Sequence, residues 1–215
     1  MGGFSCPIEC LNDAELAHYA VVGGDGILLI SGTGAITYGT HNGKSARVGG
    51  WMISIMGEEG SGTWVSRHAL RHLAKRIDGV VPETKLSHLL ERQLCISTAK
   101  QLMELSAKIA CEPTLCNNLG GIVDSAANSG DIYAVKLLQA AAEQSVTLVT
   151  DLADVLGFTR QDHIKIGVWG SNIVKSKVHY THFLQFIKQC IPNAEICFPT
   201  KSALDGACEL ALDRA

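Results

Sequence analysis

Hydrophobic positions change period along this chain, and the changes divide it into zones. Between Gly26 and about residue 48 the pattern is that of strands, expected at about 27–31, 35–40 and 45–48, with His41-Asn42-Gly43-Lys44 as the hairpin signal between the second and third. A helix precedes them from Cys10 to Val22. It is opened by Asn12-Asp13, which can cap it, and it carries Leu16 and Ala20 on one face; Gly23-Gly24-Asp25-Gly26 then turns the chain. After the strands a helix runs to about Ile77, where Val65, Ala69, Leu73 and Ile77 repeat at i, i+4. Glu58 and Glu59 stand at its expected N-terminus, where carboxylates complement the helix dipole. From Pro82 to Gly157 the period is helical throughout, with helices expected at 83–94 (Leu86, Leu89, Leu90, Leu94), 97–111 (Leu102, Leu105, Ile109), 119–127 and, longest, 131–156. The last quarter reads β-α-β-α: a strand over Ile164–Trp169, a helix over about 174–189, a strand over 195–198 and a helix over 202–213. A strand that ends in a small-residue turn before a helix, as Gly170-Ser171-Asn172 does here, is where doubly wound folds place ligands.

Composition narrows the picture. With 215 residues, 47% hydrophobic and 18% charged, the chain can bury a substantial core in one large domain or two small ones. A net charge of −3, with no basic run interleaved with aromatics, excludes nucleic acid as an expected partner. No apolar run approaches the roughly 20 residues that cross a bilayer, no basic leader precedes a hydrophobic segment, and Cys6 stands where a myristoylation signal has Ser or Thr. A soluble cytoplasmic protein, away from membranes, is expected.

Eight cysteines, at 6, 10, 95, 111, 116, 190, 197 and 208, include no Cys-x-x-Cys pair and no histidine in finger spacing, so most are expected to be buried thiols. His68 and His72 are spaced i, i+4, as two zinc ligands would be, but no third ligand matches them. They read as a half-exposed pair, and no metal site is expected. Arg67, Arg71, Lys75 and Arg76 read as a solvated basic face.

The candidate chemistry starts at Ser31-Gly32-Thr33-Gly34, which follows the apolar run Ile27–Ile30. Glycine lets a backbone approach an anion without a Cβ in the way, successive N–H groups can converge on an oxygen, and Thr33 adds a hydroxyl. A strand, a glycine turn and a returning strand also describe an ordinary hairpin, so the turn alone leaves both readings open.

Its company favours the first. Asn12-Asp13 upstream, then Gly49-Gly50-Trp51 and Gly57-Glu58-Glu59-Gly60-Ser61 downstream, complete a set. The set resembles, in order, the Asn-Asp-Ala helix start, Gly-Thr-Gly phosphate loop and Gly-Gly-Trp-Gly…Gly-Asp-Glu-Gly-Ser segment of the family that includes N-acetylglucosamine kinases and the BadF/BadG/BcrA/BcrD ATPases, within the actin and hexokinase superfamily. The resemblance extends through Val168-Trp169-Gly170-Ser171-Asn172 and Leu204-Asp205-Gly206-Ala207, the latter similar to a signature whose small residues let a helix pack closely. It implies an α/β, ribonuclease H-like fold. Residues 1–22 would be the remnant of an N-terminal lobe and its linking helix, and residues 23–215 a C-terminal lobe with a helical insertion at about 82–157 that helps form a homodimer. It also implies ATP and Mg²⁺ as cofactors and an amino sugar as substrate. Asp13 would be the general base that takes the proton of a sugar hydroxyl. Asn12, Gly50, Trp51 and Glu58 would contact the sugar, Gly32, Thr33 and Gly34 the phosphates, and Gly170 and Ser171 the adenosine. Asn117-Asn118-Leu119-Gly120-Gly121 reads as a turn, with a nucleotide-side loop as the alternative. The carboxylate of Asp13 and the amides around Thr33 are then expected to look into one cleft.

The chain departs from the family pattern at three places: Glu58 replaces Asp, Met52 replaces Gly, and Ser171 replaces a Gly against which adenosine lies. Nor does the family's opening strand and Asp-Gly-Gly-Gly-Thr loop precede Asn12. Because phosphoryl transfer draws charge stabilisation from both lobes, the polypeptide is expected not to turn over ATP unaided. A non-catalytic sugar- or nucleotide-binding regulatory protein is the alternative. A 2-hydroxyacyl-CoA dehydratase activator is disfavoured, because the loop is Gly-Thr-Gly and not the Asp-Ile-Gly-Gly of those activators.

Overall fold

The computed structural model describes residue 8 and residues 10–51, 57–116 and 119–213. The apolar loop positions Met52, Ile53, Ile55 and Met56, the pair Asn117-Asn118, and Cys6 lie outside the described residues. The elements are, in order, α1 (Asp13–Val21), β1 (Gly26–Ser31), β2 (Ala35–His41), β3 (Lys44–Gly49), α2 (Gly62–Ile77), α3 (Lys85–Leu94), α4 (Ala99–Cys111), α5 (Gly120–Asn128), α6 (Ile132–Leu156), β4 (Ile164–Trp169), α7 (Ser171–Val174), α8 (Lys177–Cys190), β5 (Ala194–Cys197) and α9 (Ala203–Asp213).

The first three strands form an antiparallel meander in which Ile30 pairs with Ile36 and Thr40 with Ser45. Asn42 and Gly43 both take positive φ, 50° and 76°, as a two-residue hairpin requires. β4 lies parallel to β1, and β5 parallel to β4, so the mixed sheet runs β3-β2-β1-β4-β5. A parallel return needs a long crossover, and the helices α2 to α6 supply it. The consequence for function is that β1 and β4 end side by side, Ile30 opposite Trp169, and both hand over to glycine turns.

The long helix α6 serves two cores. Its later turns pack with β1, β4 and α8 around Leu29, Ile166, Phe183 and Ile187, while its earlier turns pack with α2, α3 and α5 around Leu73, Leu86, Leu90 and Val123. Val65, Ala69 and Leu73 of the expected α2 stripe are fully buried. At the far side α9 lies close on α1. A Cβ added to Gly206 would stand 2.7 Å from Cβ of Ala20, so the small residues of the 204–207 stretch do permit intimate helix packing.

Several expectations need correction. α2 begins at Gly62, capped by Ser61, whose side chain accepts from the N–H of Trp64. Glu58 and Glu59 precede it, and Glu58 has φ 73°, which a right-handed helix excludes. The helix expected over about 174–189 is α8, which starts at Lys177 because Ser176 caps it, accepting from the N–H of His179, and the short α7 ends just before it. In α1 the buried residues are Ala14, Ala17 and His18; Leu16 and Ala20 are half-buried and flank α9. α4 buries none of its 13 residues, so its leucine stripe only grazes the helical core. The six cysteines whose side chains are described are not buried thiols: Cys10, Cys95, Cys111, Cys190 and Cys208 are exposed and Cys197 is half-buried. Three of these occupy helix C-termini, Cys95 as the left-handed cap of α3 and Cys111 and Cys190 as last residues, where side chains face solvent. His72 is not half-exposed. It is buried, stacked on Tyr133 at 3.8 Å, with Nε2 3.2 Å from Oγ1 of Thr84. Among the described residues no helix is long and apolar enough to cross a membrane.

Candidate functional site

The glycine turn after β1 is held from three directions. Gly32 N–H donates to the carbonyl of Gly34 at 2.9 Å, closing the turn on itself. The first residues of α2 bond down onto it, Gly62 N–H to the carbonyl of Gly32 at 2.8 Å and Thr63 N–H to that of Thr33 at 3.2 Å. Ser31 Oγ donates to the carbonyl of Gly60 at 3.0 Å. From below, Oε2 of buried Glu58 accepts the N–H of Ala35 at 2.6 Å, a short charge-assisted bond that pins the start of β2. A Cβ on Gly34 would run into that carboxylate, and a Cβ on Gly170, at φ 103°, would run into the carbonyl of Ser31. Glycine at these two positions is what lets the turn and the end of β4 approach each other.

Beside the turn opens a cleft of about 320 Å³. Gly32 and Thr33 form one side; Gly62 at the start of α2, Gly120 and Gly121 at the start of α5, and Ser176, the cap of α8, bring three helix N-termini to its walls. α5 has no side-chain cap, so its first N–H groups are not satisfied by a capping side chain. Partial positive charge at these termini, together with Lys175 in the lining, favours an anion such as phosphate. Asp124 and Asn172 also line the cleft, and Oδ1 of Asp124 accepts from Ser176 Oγ at 2.6 Å. A carboxylate and a carboxamide beside a cationic patch suit a ligand with hydroxyl or amine donors next to its anionic part.

Of the residues singled out from the sequence, Gly32, Thr33 and Ser171 line this cleft, while Gly34 and Gly170 lie behind the turn and shape it. Asn12, Asp13, Gly50, Trp51 and Glu58 are not among the lining residues. Asn12 is the cap of α1, its side chain accepting from Glu15 N–H, and Asp13 is exposed, with Oδ1 accepting from Ala14 N–H at 3.0 Å. α1 and β1 are joined by only residues 22–25, so the chain reverses between them. Gly50, at φ 67°, packs on Ile36, and Trp51 is 58% exposed with the Arg47 guanidinium 4.7 Å over its ring.

Sequence reasoning missed Gly62, Asp124, Asn172, Lys175 and Ser176 as cleft residues, and gave Gly120-Gly121 only as an alternative. A signal existed for two of them. Asp124 stands at i+4 from Gly120, hence on the same helix face, and Asn172 directly follows the Gly170-Ser171 turn. Behind the cleft His179 is fully buried, with Nε2 3.2 Å from Ser145 Oγ; burial pushes its imidazole down to about 4, so it is neutral at pH 7. Away from the cleft, Glu83, His88 and Glu91 gather on and before α3, but Arg76 lies 3.2 Å from Glu91 and 3.8 Å from Glu83, so a guanidinium already balances that charge.

The sequence profile of the BadF/BadG/BcrA/BcrD ATPase family matches residues 8–209. The N-acetylmuramic acid/N-acetylglucosamine kinase of Clostridium acetobutylicum is 28% identical over 214 residues, covering 97% of this chain and 68% of that protein. The N-acetyl-D-glucosamine kinase of Dictyostelium discoideum is 29% identical over 210 residues, covering 94% of this chain and 64% of that protein. Among solved structures, a proposed N-acetylglucosamine kinase from Chromobacterium violaceum superposes with a TM-score of 0.72 at 22% identity, over 91% of this chain and 62% of that one. A ROK family glucokinase from Streptomyces griseus, in complex with glucose and AMPPNP, superposes with a TM-score of 0.54 at 16% identity, over 91% of this chain and 64% of that one. The fold is therefore an α/β fold with a mixed sheet, similar to those of sugar kinases. The chain spans about two thirds of the length of these relatives.

Proposed function

Because this chain belongs to the BadF/BadG/BcrA/BcrD ATPase family, we propose that it serves the ATP-dependent phosphorylation of an amino sugar, of the kind that N-acetylglucosamine kinases carry out. The observation that carries the reading is the cleft beside Gly32 and Thr33, where three helix N-termini and Lys175 meet. That arrangement fits the phosphates of a nucleotide. Asp124 is the one carboxylate among the lining residues and is where a Mg²⁺ accompanying the phosphates, or a ribose hydroxyl, would find an acceptor. Ser171 and Gly170 take the adenosine side. The sheet is then a ribonuclease H-like C-terminal lobe, with the segment from α3 to α6 as its helical insertion.

Asp13 is the base in this scheme. Its carboxylate is exposed at the start of α1, and one of its oxygens is engaged by a backbone amide. It accepts the proton of the sugar hydroxyl as that oxygen attacks the terminal phosphoryl group and ADP departs, while the amide and hydroxyl of Thr33 and the cation of Lys175 hold the phosphates in place. Asn12, Gly50, Glu58 and the exposed indole of Trp51 are assigned to the sugar side. A homodimer and a cytoplasmic setting complete the proposal.

Calorimetric titration with ADP and with N-acetylglucosamine, followed by transfer of labelled phosphate from ATP to the sugar, tests it. Nucleotide should bind with the sugar present or absent, and Asp13→Asn should lower whatever transfer the chain supports by about 10²–10⁴-fold while leaving ADP affinity unchanged. Absence of any nucleotide binding would sink the proposal. A second reading is favoured by the position of Asp13 outside the cleft lining: nucleotide and sugar binding with no transfer to any amino sugar would assign the chain a regulatory, ligand-sensing role.

A further inference from the structure

Behind the glycine turn runs a chain of polar side chains drawn from distant parts of the sequence, with Ser31, Ser145 and His179 buried and Asn172 half-buried at the cleft. Ser31 Oγ donates to the carbonyl of Gly60. Nδ2 of Asn172 lies 2.9 Å from that same carbonyl and 3.1 Å from Ser31 Oγ. A backbone carbonyl only accepts, so Gly60 fixes which end of the carboxamide faces inward. Nδ2 is inside and Oδ1 is on the other side, 3.6 Å and 3.7 Å from where a Cβ would sit on Gly120 and Gly62, two glycines of the cleft wall. Further in, Nδ2 is 3.4 Å from Nδ1 of His179, and Nε2 of His179 is 3.2 Å from Ser145 Oγ on α6. His179 and Ser145 are both fully buried. A relay through the carboxamide has Nδ1 accepting from Nδ2 and Nε2–H donating to Ser145 Oγ; the competing tautomer has Nδ1–H donated to the backbone of Asn172.

We propose that Asn172 is a positioning residue for the phosphate turn: its carboxamide, held from behind by His179 and Ser145, fixes Ser31-Gly32 against Gly60–Gly62 and keeps one acceptor, Oδ1, facing the cleft. The turn and the segment before α2 are separate stretches of backbone, and Asn172 bonds to both. Amide clusters bind anions well only when their N–H groups need no rearrangement on binding, so loosening this junction weakens phosphate binding without removing any group that touches phosphate. His179 acts through Asn172 and needs no contact with ligand. For its effect on affinity the inference rests on the nucleotide reading above; for its effect on the turn itself it does not.

The test compares Asn172→Ala, His179→Leu and His179→Asn in the full chain. ADP affinity is measured by calorimetry, and NMR of the ligand-free protein reports amide exchange at Gly32 and Gly62, exchange of the Asn172 side-chain N–H groups, and the His179 tautomer. Asn172→Ala and His179→Leu should each weaken ADP binding about tenfold and speed exchange at Gly32 and Gly62. His179→Asn can place a carbonyl oxygen where Nδ1 was, and should return affinity to within about threefold of the parent. The parent should show the Nε2–H tautomer. If the parent does not bind ADP at all, the nucleotide reading falls, and the exchange and tautomer data decide the positioning role alone. Unchanged exchange at both glycines in Asn172→Ala and His179→Leu, or an Nδ1–H tautomer in the parent, overturns it. Should those variants fail to fold, Ser145→Ala is the milder probe: faster exchange of the Asn172 side chain supports the relay, and unchanged exchange overturns it.

Discussion

The two halves of α6 do different work, and the contrast locates the site. The earlier half turns Ala134, Leu137, Leu138 and Ala141 toward other helices, while the later half turns Val146, Val149, Leu152 and Leu156 toward the sheet. Between them the character of the helix changes. Ala141 offers a carbonyl and Ser145 a hydroxyl, each 2.8 Å from where a Cβ would sit on Gly60. Polar groups tolerate burial only where they find partners, and the junction between two apolar cores is where Ser145, His179, Asn172 and Ser31 find one another. The cleft opens at that junction, which is why its lining mixes Leu138 with glycines and charged groups. A rigid helix shared by both cores holds the two walls at one spacing.

Three measurements can break or sharpen the contrast. The largest effect is expected from truncating core leucines. Leu152→Ala and Leu138→Ala should each lower unfolding free energy by about 2–5 kcal/mol in urea titrations, but only Leu138→Ala, at the cleft, should also weaken ADP binding. Equal nucleotide affinity in the two variants would dissolve the distinction between the halves.

The next effect comes from acid. His179 titrates at about 4 in the folded chain against 6.5 for an ordinary imidazole, so between those values the unfolded chain binds more protons. Its contribution is fully present above pH 6.5 and is lost as pH falls toward 4, on the order of 3 kcal/mol in all. His18 and His72, both also lowered by burial, act with the same sign. Stability measured across this range should fall with acid in the parent and fall less steeply in His179→Asn; equal slopes would show that the junction histidine is not the titrating group.

The smallest effect is expected on α4, which touches the helical core only through half-buried Leu102. Leu105→Ala should change unfolding free energy by no more than about 0.5 kcal/mol, because α4 buries none of its residues. A larger loss would mean that this helix is covered in solution.

How much the sequence disclosed follows from the range over which each signal acts. The meander was readable because alternation and the Asn42-Gly43 turn are local, and so was α6, whose apolar period runs its whole length. The break between α7 and α8 was not read, because the apolar spacing from Val174 onward continues through it and only the hydroxyl of Ser176 marks the new start. Cysteine was expected inside on the strength of residue type, but position at helix ends decides its exposure. In the site, Gly32, Thr33 and Ser171 could be found because each sits in a recognisable strand-to-turn motif. Asp124, Lys175 and His179 carry no motif. Asp124 and Lys175 line the cleft and His179 stands behind it because α5 and α8 pack with α6, a relation between distant residues; the i+4 spacing of Asp124 from Gly120 becomes informative only once that glycine pair is placed at the cleft.

The contact between Gly206 and Ala20 reaches beyond packing. Because α9 lies flush on α1 with no room for even a methyl group, the tilt of α1, and with it the direction in which Asn12 and Asp13 point, is tied to a helix from the other end of the sequence. A bulkier residue at 206 would act as a wedge, prying the first helix outward and re-aiming its leading carboxylate while the phosphate side stayed as it is.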